Sequence, residues 1–149
     1  MESHPLLRHR ILFLSTPISA ATVNPLVAEL LLLNAEAPGK QIDLYINSPG
    51  GSVLDGLALI DAMQCIEAPV STICIGQAAS MAAWILAAGS RGLRFASPHA
   101  EMSPSRPDHH GGIETIPAIL GDAFILFQPQ ADLITTEGLR QAISPKGES

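Results

Sequence analysis

The sequence predicts an α/β fold of stacked βαβ units around a parallel sheet, and three observations predict it. Short apolar, β-branched runs alternate with helix-forming runs. The connections between them are short. Two of these connections, residues 47–51 and 76–80, are glycine-bearing turns placed between a strand-like run and a helix-like run, where α/β proteins carry ligands and nucleophiles.

Taken in order, residues 10–14 (RILFL) read as a short buried strand beginning at Arg10 and stopped by Ser15, Thr16 and Pro17. Ser19 is an N-cap for a helix running to Ala35, with Leu26, Leu30 and Leu33 on one face. Pro25 fits only if the regular helix begins near it. Ala37, Pro38 and Gly39 end that helix. Residues 42–46 (IDLYI) form a second strand, and residues 47–51 (NSPGG) a tight turn. Residues 52–66 come next as a helix with Val53, Leu57, Ile60 and Gln64 along one stripe, ended by Pro69. A third strand over 72–75, a turn over 76–80 and a helix over 81–88 succeed it. Residues 93–95 are a last short strand. From 97 to 112 the sequence (SPHAEMSPSRPDHHGG) is irregular, and from 113 to 140 it is mixed, interrupted by Pro117, Gly121, Pro129 and Gly138. Residues 144–149 look frayed.

A chain of 149 residues is read as one domain over 1–149, with 1–9 flexible. It is 47% hydrophobic and only 15% charged, so apolar surface is expected to be covered by other subunits, an aggregation-prone monomer being the alternative. The net charge of −6 and the lack of a basic cluster exclude nucleic acid as a partner. The N-terminus lacks the apolar core of a signal peptide. Residues 68–90 carry no charge and are long enough to span a bilayer. Their serines, threonine, glutamine and glycines, and the strand-like first half, instead indicate a buried strand followed by a buried helix, and no membrane association is expected. Cys65 and Cys74 both lie in apolar segments and read as buried free thiols of a reducing cytosol. No cofactor or metal is expected.

The two turns stand at equivalent places in consecutive βαβ units, so neighbouring parallel strands would set them side by side. Glycine pairs leave backbone N–H groups open to approach. A tetrahedral oxyanion needs two such donors, and the N–H groups of Gly51 and Met81 would serve beside a nucleophile at Ser80. The plainer alternative is structural: the glycines make a tight turn, and Ser80 is a small residue where helix meets sheet.

The same residues carry a resemblance. Arg10-Ile-x-Phe-Leu, Tyr45-Ile-Asn-Ser-Pro-Gly-Gly51, Met63-Gln, Val70-Ser-Thr-Ile-Cys74, Gly76-Gln-Ala-Ala-Ser-Met81 and Arg94-Phe-Ala-x-Pro98 resemble, in that order, the proteolytic subunit of the Clp protease, over residues 10–98. The resemblance implies a crotonase-like α/β fold. It also implies two stacked seven-subunit rings of identical or paralogous subunits, an ATP-dependent ring unfoldase as partner and unfolded polypeptide as substrate. The compartment implied is the cytoplasm, or an organelle stroma or matrix. It makes Ser80 the nucleophile of a serine endopeptidase, with Gly51 and Met81 as backbone oxyanion donors.

The sequence then departs from the family. Counted from Pro98 without gaps, the family's base histidine falls on Ser105, and its following Gln-Pro on Arg106 and Pro107. Gly111 and Gly112 match the family's glycine pair after a small insertion, and Glu101 stands where an arginine is usual. His109 is the candidate for a relocated base, four residues on or roughly 13 Å along an extended strand, with His99 and His110 as alternatives. Solvent-exposed loop histidines are the plainer reading. The family's aspartate segment has no counterpart, Asp108, Asp122 and Asp132 match no motif, and residues 113–149 read as a diverged or truncated handle. A serine hydroxyl is a poor nucleophile without a base in reach, so the chain is expected to be weak or inactive alone. The alternatives are a non-catalytic subunit of a mixed ring, a truncated or frame-shifted product, a crotonase-type acyl-CoA enzyme, and a Ser–Lys peptidase, for which neither Lys40 nor Lys146 is well placed.

Overall fold

The computed structural model describes residues 5–103. A 3₁₀ turn at Pro5–His9, with Leu7 buried, leads into β1 (Ile11–Leu14), α1 (Ala20–Glu36), β2 (Ile42–Ser48), α2 (Val53–Cys65), β3 (Val70–Ala79), α3 (Met81–Ala87), β4 (Arg94–Ala96) and β5 (Glu101–Ser103). The sheet is parallel throughout, in the order β1-β2-β3-β4, with β5 lying against the C-terminal part of β3. This is the stacked βαβ architecture that the sequence predicts. Leu12, Leu14, Leu44, Ile46, Val70 and Cys74 of the sheet meet Leu30 and Leu33 of α1, Leu59 and Ile60 of α2, and Met81 and Ile85 of α3 in one core. The uncharged run over 68–90 is a strand buried over Val70–Cys74 and a buried seven-residue helix. No helix among the described residues is long and apolar enough to cross a membrane.

Several elements differ from the sequence reading for identifiable reasons. Arg10 is not strand. It turns at φ 62, and its buried guanidinium donates to the carbonyl oxygens of Leu33 (2.8 Å), Ala37 (3.1 Å), Lys40 (2.8 Å) and Gln41 (3.1 Å), closing the C-terminal end of α1. Helix α1 starts at Ala20, well before Pro25, which lies inside it on the exposed side. Its first turn is held by the Ser19 N–H donating to Thr22 Oγ1 at 2.9 Å, and its buried face is Val23, Leu26, Leu30 and Leu33. Helix α2 is capped by Ser52, whose hydroxyl accepts the Asp55 N–H at 3.3 Å.

The buried stripe of α2 is Gly56, Leu59, Ile60 and Met63, rotated from the expected one, so that Val53 and Gln64 are exposed. The rotation has a cause at Gly56: a Cβ there would fall on the Met81 side chain, so the bare glycine face is the one that can close on α3. Cys65, at the exposed end of α2, is not buried as expected, whereas Cys74 is. Tyr45 and Ile73 share a row with Phe13 and Phe95 across β1–β4, on the sheet face opposite that of the helices. The Phe13 and Tyr45 rings stack there with centroids 5.3 Å apart. Surplus apolar surface is visible at Phe13, Leu31, Leu32, Val53 and Leu54, the last 81% exposed.

Candidate functional site

The expected turn over 76–80 is mostly strand. β3 runs on to Ala79, and the change of direction is concentrated in one residue, Ser80, at φ 53 and ψ −126. A non-glycine residue in this region is strained by about 1–3 kcal/mol. The surrounding bonds hold it there. The Ser80 N–H donates to the Ser103 carbonyl of β5 at 2.7 Å, and the Ser80 carbonyl accepts the Ala83 N–H at 3.0 Å. The Ser80 hydroxyl makes no cap bond to α3, the side chain is half-buried, and among the described residues it has no hydrogen-bond partner.

Facing Ser80 is the end of β2. That strand continues through Ser48, two residues further than the sequence suggests, so the turn proper is Pro49, Gly50 and Gly51. Gly50, at φ 94, lies directly on the serine. A Cβ at Gly50 would stand 2.8 Å from Ser80 Cβ, 2.6 Å from the Ala79 carbonyl oxygen and 3.2 Å from the Met81 nitrogen. Gly51, at φ 152, is equally tight against Ile18, onto whose carbonyl oxygen a Cβ would fall. Ile18 straddles the turn: its N–H donates to the Gly50 carbonyl and its own carbonyl accepts the Ser52 N–H, both at 2.9 Å.

The N–H groups of the two segments are used unequally. The Gly50 N–H donates to Ser48 Oγ at 3.2 Å. The Gly51 N–H and the Met81 N–H have no acceptor among the described residues. Met81 is the first residue of α3, where a helix leaves its N–H without an intrahelical partner.

The sequence reading named Ser80, Gly51 and Met81 and missed three neighbours. Gly50, rather than Gly51, is the glycine in contact with the serine. Ser48 organises the turn, and Ser103 supplies the acceptor that fixes the Ser80 backbone. Ser103 was hidden because β5 is three residues long within a stretch that reads as irregular. Of the candidate bases, His99 is exposed in the loop between β4 and β5 and makes no hydrogen bond to Ser80. Glu101 is exposed on β5. Ser105, Arg106, His109, His110, the glycine pair 111–112 and the aspartates at 108, 122 and 132 lie outside the described residues.

A family model described as Clp protease covers residues 2–116, a span that includes every described element and both turns.

Proposed function

The chain belongs to the Clp protease family, and from this premise we propose that it is a subunit of a Clp-type serine peptidase ring in which Ser80 is the nucleophile and the N–H groups of Gly51 and Met81 take the oxyanion. The observation that carries the proposal is the packing of Gly50 onto a serine held at φ 53. A strained strand-to-helix elbow lifts a hydroxyl clear of the backbone; the unengaged N–H groups of Met81, next in sequence to the serine, and of Gly51, next to the glycine packed on it, supply the two donors a tetrahedral intermediate requires.

Members of this family form oligomeric rings, and the exposed apolar residues of α1 and β1 accord with apolar surface facing neighbouring subunits. The partners we propose are copies of this chain or paralogues, together with an ATP-dependent unfoldase that delivers unfolded polypeptide. We further propose that the chain is slow by itself, because Ser105 stands at the family's base position. Loss of a base costs a serine protease about four to six orders of magnitude in turnover, leaving what the oxyanion donors alone provide. In a mixed ring such a subunit serves chiefly as wall.

The test is labelling by a fluorophosphonate probe, with Ser80→Ala as control, on the protein alone and co-expressed with an active Clp subunit. Slow labelling that Ser80→Ala abolishes is expected for the protein alone. Labelling at an ordinary serine-protease rate would overturn the slow half of the proposal. Labelling that survives Ser80→Ala would overturn the assignment of the nucleophile.

A further inference from the structure

We infer that Ser48 is a positioning residue for the oxyanion donor at Gly51, an inference that rests on Ser80 being the nucleophile and Gly51 an oxyanion donor. Ser48 is the last residue of β2 and is fully buried. Its hydroxyl donates to the Thr16 carbonyl oxygen at 2.8 Å and accepts the Gly50 N–H at 3.2 Å. One small side chain therefore ties the segment after β1 to the turn that faces Ser80.

The consequence lies in which N–H is left over. The turn presents two consecutive glycine N–H groups. Ser48 engages the first, Ile18 holds the Gly50 carbonyl, and the Gly51 N–H stays without an acceptor among the described residues. With the Ser48 hydroxyl removed, the Gly50 N–H would be a buried donor without a partner, and the turn would rotate to satisfy it. Glycines offer little resistance to such a rotation. The Gly51 N–H would then no longer point where the oxyanion forms. Misplacing a catalytic group by about 1 Å costs up to roughly a hundredfold in rate.

The experiment avoids the question of the base by placing a thiol at the nucleophile position with Ser80→Cys. Its thiolate is acylated by p-nitrophenyl acetate: sulfur bonds to the carbonyl carbon, the carbonyl oxygen carries the negative charge in the tetrahedral intermediate, and p-nitrophenolate leaves. The same thiolate is alkylated by iodoacetamide: sulfur bonds to the methylene carbon, iodide leaves, and no oxyanion forms. The ratio of the two rates therefore reads the oxyanion donors, and exposed Cys65 in the same chain is the internal reference, with sites separated by peptide mass.

We expect the ratio at position 80 to exceed that at Cys65 roughly a hundredfold. Ser48→Ala should lower it about tenfold or more without changing alkylation, and Ser48→Thr, which keeps the hydroxyl, should restore it. A ratio at position 80 no higher than at Cys65 overturns the underlying reading of the site. An elevated ratio unchanged by Ser48→Ala overturns the inference alone and leaves Ser48 a purely structural residue. Should Ser48→Ala fail to fold, amide exchange in the parent protein decides. A protected Gly50 N–H beside a fast-exchanging Gly51 N–H supports the inference, and equal exchange at the two overturns it.

Discussion

Gly50→Ala tests the contact on which the site depends, and its cost has two separate contributions. The first is backbone strain. At φ 94 a side chain is held outside the region L-residues favour, which costs about 1–3 kcal/mol. The second is overlap. The new methyl would stand 2.8 Å from Ser80 Cβ and 2.6 Å from the Ala79 carbonyl oxygen, where carbon contacts ordinarily settle near about 3.5–4.0 Å. Neither obstacle is the loose end of a long side chain, so the turn must withdraw from β3. Overpacking of this kind costs roughly 1–3 kcal/mol. Together they predict a loss of about 2–6 kcal/mol, a large fraction of a domain's usual stability.

Two other glycines separate the contributions. Gly92, at φ 79, has nothing among the described residues within 4 Å of its virtual Cβ, so Gly92→Ala carries the strain alone. Gly39 has neither the positive φ nor a neighbour among the described residues, so Gly39→Ala should be neutral or stabilising by up to about 1 kcal/mol. The assay is guanidinium unfolding followed through Trp84, the single and buried tryptophan, at matched protein concentration. Equal losses for Gly50→Ala and Gly92→Ala, within about 0.5 kcal/mol, would mean that the turn does not press on Ser80, and the proposed site would fall with that contact.

Four further outcomes are expected. Arg10→Met removes four donations to carbonyl oxygens around the end of α1 and should cost roughly 3–4 kcal/mol in a denaturation series. Arg10→Lys should recover less than half of this, because an ammonium cannot reach carbonyls arranged around a planar fork. Ser80→Gly relieves the strain at φ 53 and removes no hydrogen bond of the hydroxyl to the described residues, so it should raise stability by about 1 kcal/mol while abolishing probe labelling; a destabilised Ser80→Gly would refute the strain argument. Cys65 should react with a thiol reagent in the native protein, and Cys74 only on unfolding. Burial pushes the Cys74 thiol up to about 11, and burial, with the Asp43 carboxylate as the smaller cause, raises Tyr45. Both protons are held more tightly in the folded chain, so both groups lose their contribution at high pH; that of Cys74 is complete below the ordinary thiol value of 9.0 and is lost as pH rises through about 11. Urea midpoints should fall across that window, and Cys74→Ala should flatten the fall.

The parts of this fold that could be read in the sequence are those decided by local pattern. Strand β2, the leucine face of α1, the Ser19 cap and the strand-to-helix change at Ser80 each rest on residues a few positions apart. The errors arise where a distant partner decides. Gly56 alone does not indicate which face of α2 is buried; Met81, on another helix, settles that. Arg10 looks like the start of a strand until the carbonyls of residues 33–41 come within reach of its guanidinium. Three residues of β5 carry no pattern of their own, and their strand geometry comes from the C-terminal end of β3.

The same distinction explains how the site is made. Between its pairings with β2 at Cys74 and at Ala78, β3 advances four residues while β2 advances only two, from Ile46 to Ser48. The surplus is absorbed over Ile75, Gly76 and Gln77, where Gly76 adopts φ 83 and the Asn47 side chain accepts the Gln77 N–H at 3.3 Å. A bulge of this kind bends a strand and re-aims the residues beyond it. Here those residues are Ala78, Ala79 and Ser80, carried away from the line of β4 and onto β5, whose Ser103 carbonyl then takes the Ser80 N–H. In sequence the motif reads as a glycine and a serine four residues apart. In the structure those four residues are the distance over which a regular parallel sheet is interrupted and resumed, so that a single strained residue ends facing the glycine turn of its neighbour.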